Sequence, residues 1–185
     1  MYEVKYKNIK IKLIKGNIAE QKTDAIVNAA NKRLAPGGGV AGAIHRAAGY
    51  KLWEECKKIG GCETGEAVIT KGYKLPAKWV IHTVGPIWRN RKEDPEMLKA
   101  SYVNSLILAE KYKIKSISFP AISTGAFGYP IKEASEIALK SVFQMVDSLS
   151  SVKLIQFVLY DEETYKIFEE KLKELKNYKE KTDSF

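Results

Sequence analysis

The length and composition of the chain indicate one soluble globular domain. It has 185 residues, of which 45% are hydrophobic and 29% charged, and this is enough to bury one core without disulfides. Residues 1–10 lack the apolar run of a signal peptide, and no segment reaches the ~20 apolar residues of a membrane span. We therefore expect a cytoplasmic protein without membrane contact. The formal net charge is +9, but only this charge favours nucleic acid, so we do not expect that partner.

The order of the predicted strands and helices indicates an α/β fold. Hydrophobic periodicity predicts strands at 9–15, 24–28, 66–71, 78–84, 116–119 and 153–160, and helices at 41–58 with a break near Gly49, 95–112, 132–148 and 162–177. This alternation favours a three-layer α/β/α sandwich around a mixed, mostly parallel sheet. We expect one domain at 1–178, a frayed tail at 179–185 and a monomer. The first strand alternates lysines with Ile9, Ile11 and Leu13, which is typical of a solvated, antiparallel sheet edge.

A glycine-rich loop follows the predicted strand at 24–28. Asn28 and Asn31 stand at the carboxyl end of that strand, where open α/β sheets bind their ligands. Residues 37–39 are three glycines, so the loop can adopt positive φ angles and direct bare N–H groups at an anion. The helix that follows would add the positive end of its dipole. The same residues could form only a flexible connection, and one glycine loop does not decide between the two.

A second glycine-rich loop, at 119–130, follows the strand at 116–119 and precedes a helix. Ser123 and Thr124 add hydroxyl donors, and Phe127 stands between glycines, where its ring could stack on a sugar or a base. Core packing is the alternative for Phe127, because most phenylalanines are buried. Two glycine-rich loops, each between a strand and a helix, favour a site for the phosphates of a nucleotide.

The loops and their flanking strands resemble the macro domain family, close to its MacroD-type ADP-ribosyl hydrolases and O-acetyl-ADP-ribose deacetylases. The resemblance runs in order through segments at 16–18, 24–31, 37–49, 64–67, 80–86 and 119–130. It implies the macro domain fold and a pocket for ADP-ribose and its derivatives. We expect neither a cofactor nor a metal ion. It also implies mono-ADP-ribosylated proteins as partners.

The family's usual binding roles carry over position by position. Asn17 and Ile18 would contact the adenine, and Tyr160 would stack on that base. The two loops would enclose the diphosphate. They and the preceding strand supply the remaining ligand-binding residues, which are Asn28, Gly37, Gly38, Val40, Ser123, Thr124, Gly125, Ala126 and Gly128.

The resemblance assigns catalytic roles to Asn31, Gly39 and Phe127. Asn31 would hydrogen-bond the distal ribose near its reactive carbon, with Phe127 against that ribose. The MacroD-like pattern has an aspartate where this chain has Ala41, and that carboxylate is assigned to orient or deprotonate the attacking water. An alanine cannot do this, and a general base commonly supplies about 10²–10⁴-fold in rate. In similar archaeal members with alanine, the substrate's phosphate and the asparagine are thought to place the water.

Asn17 is the second departure from the family, which usually has an aspartate there. The amide oxygen of Asn17 can still accept a hydrogen bond from the adenine amino group, but without charge assistance, at a cost of about 1 kcal/mol. We expect binding to persist with a weaker preference for adenine.

Histidines and cysteines are the remaining candidates for polar chemistry. His45 lies four residues after Ala41 on the same helix face. We expect it to be a core histidine bonded to a backbone carbonyl, the alternative being support of the loop or the distal ribose. His82 lies within an apolar strand, which favours a structural role. Cys56 and Cys62 flank a Gly-Gly turn, and since zinc would need further ligands, we expect two reduced thiols.

Three functions remain open on the sequence. The first is a hydrolase of ADP-ribose esters, acting on mono-ADP-ribosyl groups on acidic side chains, on O-acetyl-ADP-ribose, or on both. The second is a reader that binds ADP-ribose without turnover, which Ala41 favours. The third is a basic nucleic-acid-binding domain, which only the charge favours. We expect the first.

Overall fold

One seven-stranded sheet forms the centre of the molecule, and a computed structural model describes it over residues 1–183. The strands are β1 Tyr2–Tyr6, β2 Ile9–Lys15, β3 Ala25–Ala29, β4 Ala67–Lys71, β5 Trp79–Thr83, β6 Ser116–Phe119 and β7 Leu154–Leu159. The helices are α1 Gly39–Ala48, α2 Tyr50–Ile59, α3 Asp94–Lys111, α4 Ile131–Met145 and α5 Glu162–Asp183, with 3-10 turns at Ile18–Glu20 and Val146–Ser148.

The sheet is mixed and mostly parallel, as predicted. Its strand order is β1-β2-β7-β6-β3-β5-β4. The five central strands run parallel, and β1 and β4 pair antiparallel at the two edges. Ile26, Ile81 and Phe157 are fully buried within these central strands, which suits the apolar runs of a sheet covered on both faces.

Helices cover the sheet on both sides and complete the predicted three-layer sandwich. The larger core joins the sheet to α3, α4 and α5 through residues such as Tyr102, Leu139 and Phe168. The smaller core joins it to α1 and α2 through Ile44 and Leu52. Each of these five side chains is at most 1% exposed, so the connections between strands are fixed by apolar packing on both faces.

The prediction that strand 9–15 is an antiparallel edge is wrong. This strand is β2, which pairs in parallel with β7 and antiparallel with β1, and the edge is Tyr2–Tyr6. Lys10 and Lys12 of β2 instead face away from the larger core, with Lys10 exposed and Lys12 half-buried. Alternating lysines therefore do not show that a strand lies at the edge of a sheet, because backbone pairing does not depend on which side chains alternate.

The helix boundaries agree with the sequence to within one residue except at three ends. One is the end of α4, which lies at Met145 instead of 148 because a 3-10 turn follows. The predicted break near Gly49 is confirmed, because this residue separates α1 from α2 with a φ of 88°. α1 begins at Gly39, two residues before the prediction, and α5 runs to Asp183 rather than ending at 177. The Tyr6 hydroxyl donates to the Asp183 carboxylate at 2.7 Å, so contact with β1 extends the helix. Residues 184–185 of the expected tail lie outside the described residues. Within residues 1–183, no helix is long and apolar enough to span a bilayer.

Candidate functional site

The two glycine loops leave the sheet side by side. β3 and β6 are hydrogen-bonded parallel neighbours, so the loops that follow them start from the same carboxyl edge. From β3 the chain continues through α1 and α2 on one face, whereas from β6 it continues through α4 on the other. Ligands of open α/β sheets bind where the chain diverges in this way.

The predicted adenine residues extend the same edge. The Gly16 N–H donates to the Leu159 carbonyl at 3.1 Å, which places Asn17, after β2, beside Tyr160, after β7. β7 in turn pairs with β6. Four adjacent strands therefore present all the predicted site segments along one edge, over about 14 Å at a strand spacing of about 4.8 Å.

The first glycine loop ends in an open helix N-terminus. Gly38 is the N-cap of α1 and makes no side-chain cap bond, and Gly39 has a φ of 53°. A Cβ built on Gly38 or Gly39 meets no atom within 4 Å, whereas a Cβ on Gly42 would overlap the carbonyl oxygen of Gly37. The first-turn N–H groups of a helix lack intrahelical acceptors, so these groups and the helix dipole face open space suited to an anion.

Asn31 braces the first loop with its side chain. Its Oδ1 accepts from the N–H groups of Arg33 at 3.1 Å and Ala35 at 3.0 Å, and its Nδ2 donates to the Ala35 carbonyl at 2.9 Å. An amide nitrogen has two hydrogens, so one N–H of Asn31 remains. A Cβ on Gly37 would lie 3.7 Å from this nitrogen, which places the remaining donor next to the glycines.

Asn28 lies below the surface of the site, with 1% of its area exposed. Its Nδ2 lies 3.1 Å from Nδ1 of His82, whose Nε2 lies 2.8 Å from the Thr70 hydroxyl. Desolvation, aided by the nearby His45, lowers the pKa of His82 to about 3, so the ring is neutral at pH 7. Because the amide nitrogen can only donate, Nε2 carries the proton and donates to Thr70. His82 thus has the predicted structural role, as part of a network under Asn28.

His45 does not bond a backbone carbonyl, so that expectation was wrong. Within residues 1–183 both of its ring nitrogens are buried without a hydrogen-bond partner, and Oδ1 of Asn28 shares this condition. Burial lowers the pKa of His45, and its ring meets the edge of Trp53 with centroids 6.5 Å apart. Ala41, one turn earlier, is also buried. Unpaired buried polar atoms are costly, about 1–3 kcal/mol each, and they are uncommon enough to mark a candidate functional site.

The hydroxyls of the second loop hold the loop itself. Ser123 has a φ of 69° and donates through Oγ to the Pro86 carbonyl at 2.7 Å, and Thr124 donates through Oγ1 to the Ala121 carbonyl at 2.8 Å. Both predicted hydroxyl donors therefore donate to carbonyl groups of the protein itself. The Tyr129 N–H also donates to the Ser123 carbonyl at 2.8 Å, which closes the turn.

The backbone of the second loop is what faces solvent. Gly125, Ala126 and Gly128 are exposed and Phe127 is half-buried. Among the described residues the N–H groups of Gly125, Ala126 and Phe127 have no backbone acceptor outside regular elements. Successive free N–H groups of this kind form an anion-binding concavity, so both loops offer the same chemistry to the crevice between them.

The three residues predicted to contact adenine comprise one buried and two exposed members. Asn17 caps the turn at Ile18–Glu20 by accepting from the Ala19 N–H through Oδ1 at 2.9 Å. Ile18 is 4% exposed and packs in the smaller core, whereas Tyr160 is 91% exposed. The Tyr160 ring is therefore free to stack on a ligand, and Asn17 offers that ligand one remaining lone pair.

The loop after β5 supports the second glycine loop, and sequence reasoning gave it no role. The Trp88 N–H donates to the Phe127 carbonyl at 2.8 Å, and the Trp88 and Tyr129 rings lie 4.8 Å apart. A Cβ on Gly85 would overlap the side chains of Ser123 and Ile122. Only the recurrence of residues 80–86 in the family resemblance signalled this support.

The two cysteines are free, as predicted, and both are buried. Desolvation raises the pKa of Cys56 to about 12 and that of Cys62 to about 11, so both are protonated thiols at pH 7. No group of three metal-ligating side chains is found in the described part of the chain.

Sequence relatives of the chain are macro domain proteins. Residues 27–138 match the family model for the Macro domain. A macro domain-containing protein of Caldanaerobacter subterraneus subsp. tengcongensis is 51% identical over 172 residues, covering 90% of this chain and 97% of that protein. The O-acetyl-ADP-ribose deacetylase of Salmonella typhimurium is 49% identical over 164 residues, covering 86% and 92% respectively.

The fold agrees with a solved relative. The Oceanobacillus iheyensis macrodomain, solved with ADP, superposes with a TM-score of 0.92 at 42% identity, over 96% of this chain and 97% of that one. Solved variants of that protein replace an asparagine, a glycine seven residues later and an aspartate ten residues after the asparagine, and the glycine variant was solved with ADP-ribose. Asn31, Gly38 and Ala41 have the same spacing in this chain. By family model, identity and fold, the chain belongs to the macro domain family.

Proposed function

We propose that this chain binds ADP-ribose along the carboxyl edge and hydrolyses esters formed at the distal ribose. The observation that carries the proposal is the pair of glycine loops on neighbouring parallel strands, both of which present free backbone N–H groups. Such groups suit a diphosphate. The Oceanobacillus protein solved with ADP and the Salmonella relative named for O-acetyl-ADP-ribose deacetylation support this ligand.

The order of the strands orients the proposed ligand. Asn17, Ile18 and Tyr160 would hold the adenine at one end, and the loops after β6 and β3 would enclose the diphosphate. The residues that would enclose the diphosphate are Gly37, Gly38, Val40, Ser123, Thr124, Gly125, Ala126 and Gly128. Asn28 would add a buried, His82-bonded amide at the end of β3. The distal ribose would then lie beside Phe127 and Asn31.

The proposed reaction is addition of water to the ester carbonyl. The ribose oxygen leaves with a proton, and a free carboxylic acid is released. The remaining N–H of Asn31 would position the distal ribose, while Gly39 and Phe127 would complete the reacting end. Fixed N–H donors of the loops would stabilise the developing negative charge, and stabilisation of this kind often accounts for most of the rate enhancement of an enzyme.

The attacking water has no carboxylate at Ala41 to orient it. In the Oceanobacillus protein a residue with this spacing is an aspartate. We propose that the substrate's own diphosphate and Asn31 hold the water here, since both would adjoin the distal ribose. The rate would then lack part of the about 10²–10⁴-fold that a general base supplies.

A non-catalytic reader is the second candidate, and Ala41 is the observation that favours it. Binding needs only the loop backbone and the adenine end, neither of which depends on a carboxylate at this position. The two candidates therefore share a ligand and differ only in turnover.

Two substrates separate the candidates. The protein is incubated with an automodified, mono-ADP-ribosylated protein labelled on ADP-ribose and, separately, with O-acetyl-ADP-ribose, and loss of each ester is followed over hours. The proposal expects loss of at least one ester together with saturable binding. Binding without loss of either ester would leave the reader, and absence of binding would contradict both candidates.

We further propose mono-ADP-ribosylated proteins as partners and the cytoplasm as the compartment. Two buried, free thiols fit a reducing compartment. Residues 1–178 would form a single macro domain, since the one sheet and both cores lie within them.

A further inference from the structure

Exposed lysines lie at the amino ends of the parallel strands, on the side of the sheet opposite the glycine loops. We call this side the amino edge. The lysines come from four separate loops, which precede β3, β5, β6 and β7, and we call them together the basic edge. Its members are Lys22, Lys78, Lys113, Lys115 and Lys153. The sequence does not show this cluster, because its members are up to 131 residues apart and are brought together only by the parallel pairing of their strands.

Backbone hydrogen bonds fix the neighbours within the basic edge. The Lys153 N–H donates to the Lys115 carbonyl at 2.8 Å. The Trp79 N–H, next to Lys78, donates to the Asp24 carbonyl at 3.1 Å. Neighbouring strands are about 4.8 Å apart, so the lysines form a row across the edge rather than a scattered charge.

Three carboxylates lie close to this row, and two of them are bound to backbone groups. The third, Glu20, shares a surface depression with Lys22 and Ser116. Asp24 Oδ2 accepts from the N–H groups of Lys115 at 3.1 Å and Ser116 at 3.2 Å. Glu110 accepts from the N–H groups of Ser151 and Val152. Across residues 1–183, the ion pairs within 4.0 Å do not include a lysine of the basic edge. Hydrogen bonds from backbone N–H groups leave these carboxylates charged, but the five lysines outnumber the three carboxylates. The row is therefore net positive, and a polyanion would neutralise it.

Two aromatic rings lie within the same edge. Trp79 and Tyr112 pack with their centroids 5.4 Å apart at 42°, and the Lys78 Nζ lies 5.4 Å from the Trp79 ring. Tyr112 follows the last turn of α3 and is 41% exposed. An exposed ring among unpaired lysines has the two components of single-strand nucleic-acid binding, a stacking surface and a positively charged track.

We propose that the basic edge and the Trp79–Tyr112 pair bind single-stranded nucleic acid. The lysines would follow the phosphates while Tyr112 stacks on a base. An acidic peptide would use the lysines but would leave the ring without a planar partner, and a duplex would keep its bases out of reach. The surface lies on the edge opposite the glycine loops, so it is independent of the proposed ADP-ribose site. The net charge of the chain did not lead us to expect a nucleic-acid partner, because composition does not show where the charge lies. The proposal rests instead on the position of the lysines beside an exposed ring.

The test measures binding of a fluorescent oligo(dT) to the full chain by anisotropy at increasing salt. The basic-edge variant carries Lys113→Glu, Lys115→Glu and Lys153→Glu. It should lose binding at least about tenfold, and the slope of log affinity against log salt should fall by about 2 for three lost phosphate contacts. The matched control carries Lys51→Glu, Lys58→Glu and Lys166→Glu on exposed positions of α2 and α5 and should keep both the affinity and the slope within twofold.

A second variant tests the aromatic component. Tyr112→Ala should weaken oligo(dT) binding about fivefold or more without changing the salt slope. Saturating ADP-ribose should not displace the oligonucleotide, and calorimetry should show that the basic-edge variant binds ADP-ribose like the unmodified chain, which also shows that it is folded. Equal losses in the two triple variants would overturn the proposal, as would an undiminished affinity in Tyr112→Ala. Equal competition by poly-glutamate or by a duplex of the same charge would also overturn it.

Discussion

The carboxyl and amino ends of the parallel strands would attract negative charge by different means. At the carboxyl edge, the glycine loops around Gly38 and Gly125 present backbone N–H groups, and the side chains of Ser123 and Thr124 hold the second loop. At the amino edge, the backbone is paired and the charge is carried by exposed lysines. Fixed donors select a ligand by its shape, whereas flexible cations follow charge of many shapes. Changes at one edge should therefore leave the other intact.

The largest expected effect concerns turnover at the carboxyl edge. Ala41→Asp places a carboxylate one turn before His45, where it can orient water, and should raise the rate of ester hydrolysis about 10²-fold. Single-turnover kinetics on O-acetyl-ADP-ribose measure it. Ala41→Asn is the control of the same shape without a charge and should stay near the original rate. Equal rates in the two variants would contradict a limiting role for water positioning.

The shape of the first loop is the next most sensitive feature. Gly42→Ala forces a Cβ against the Gly37 carbonyl and should displace the loop, lowering turnover about 10²-fold and weakening ADP-ribose binding. Gly38→Ala, whose Cβ would meet no protein atom, should keep the protein's stability and most of its binding. Calorimetry and thermal unfolding distinguish the two, and similar affinities for both variants would show that the loop adapts.

Acid should destabilise the carboxyl edge through His82. Its pKa is lowered by burial to about 3 in the folded state, against about 6.5 unfolded. The unfolded chain therefore binds more protons, so stability is complete above about pH 6.5 and falls toward pH 3 by up to about 1.4 kcal/mol per pH unit. The free energy of unfolding, measured in urea, should change less steeply with pH between pH 7 and pH 5 in His82→Gln than in the unmodified chain. Identical slopes would rule out His82 as the source.

Removal of the exposed ring at the adenine end should affect binding and spare stability. Tyr160 is 91% exposed, so Tyr160→Ala should change the free energy of unfolding by less than about 0.5 kcal/mol. Loss of stacking should weaken ADP-ribose about tenfold. Tyr178→Ala, at an exposed tyrosine of α5, is the control and should bind normally, whereas an equal loss in both would remove Tyr160 from the site.

The smallest effect is expected at Asn17. Asn17→Asp can keep the cap to the Ala19 N–H while adding charge to the bond with the adenine amino group, a gain of about 1 kcal/mol or about fivefold in affinity. IDP lacks that amino group, so its affinity should not rise. A gain for both nucleotides would point to general electrostatics instead.

Local signals made the carboxyl edge predictable from the sequence. Glycines at 37–39 and the loop at 119–130 have few alternatives to turns, and the strands before them are apolar. The details of the site were less accessible, because they depend on distant partners. Whether Ser123 donates to a ligand or to Pro86, and whether His45 finds a partner, is decided by packing across the sheet.

The amino edge shows the same limit more strongly. Tyr2–Tyr6 was not predicted as a strand, since its pairing with β2 and its contacts with α4 and α5 stabilise it. Each lysine of the basic edge lies in a loop, and its local sequence gives no signal of a shared surface. Only the parallel order of β3, β6 and β7 turns them into one surface, and topology of that kind is not written in local patterns.

The most direct test of the central claim is a calorimetric titration of the unmodified chain with ADP-ribose and, in parallel, with AMP. The glycine loops should bind the diphosphate and the distal ribose. AMP has neither of these groups. We expect one ADP-ribose to bind per chain, at least about tenfold more tightly than AMP, since each charge-assisted hydrogen bond contributes about 1.5–3 kcal/mol. Equal affinities for the two ligands, or no heat with ADP-ribose, would contradict the assignment of the carboxyl edge.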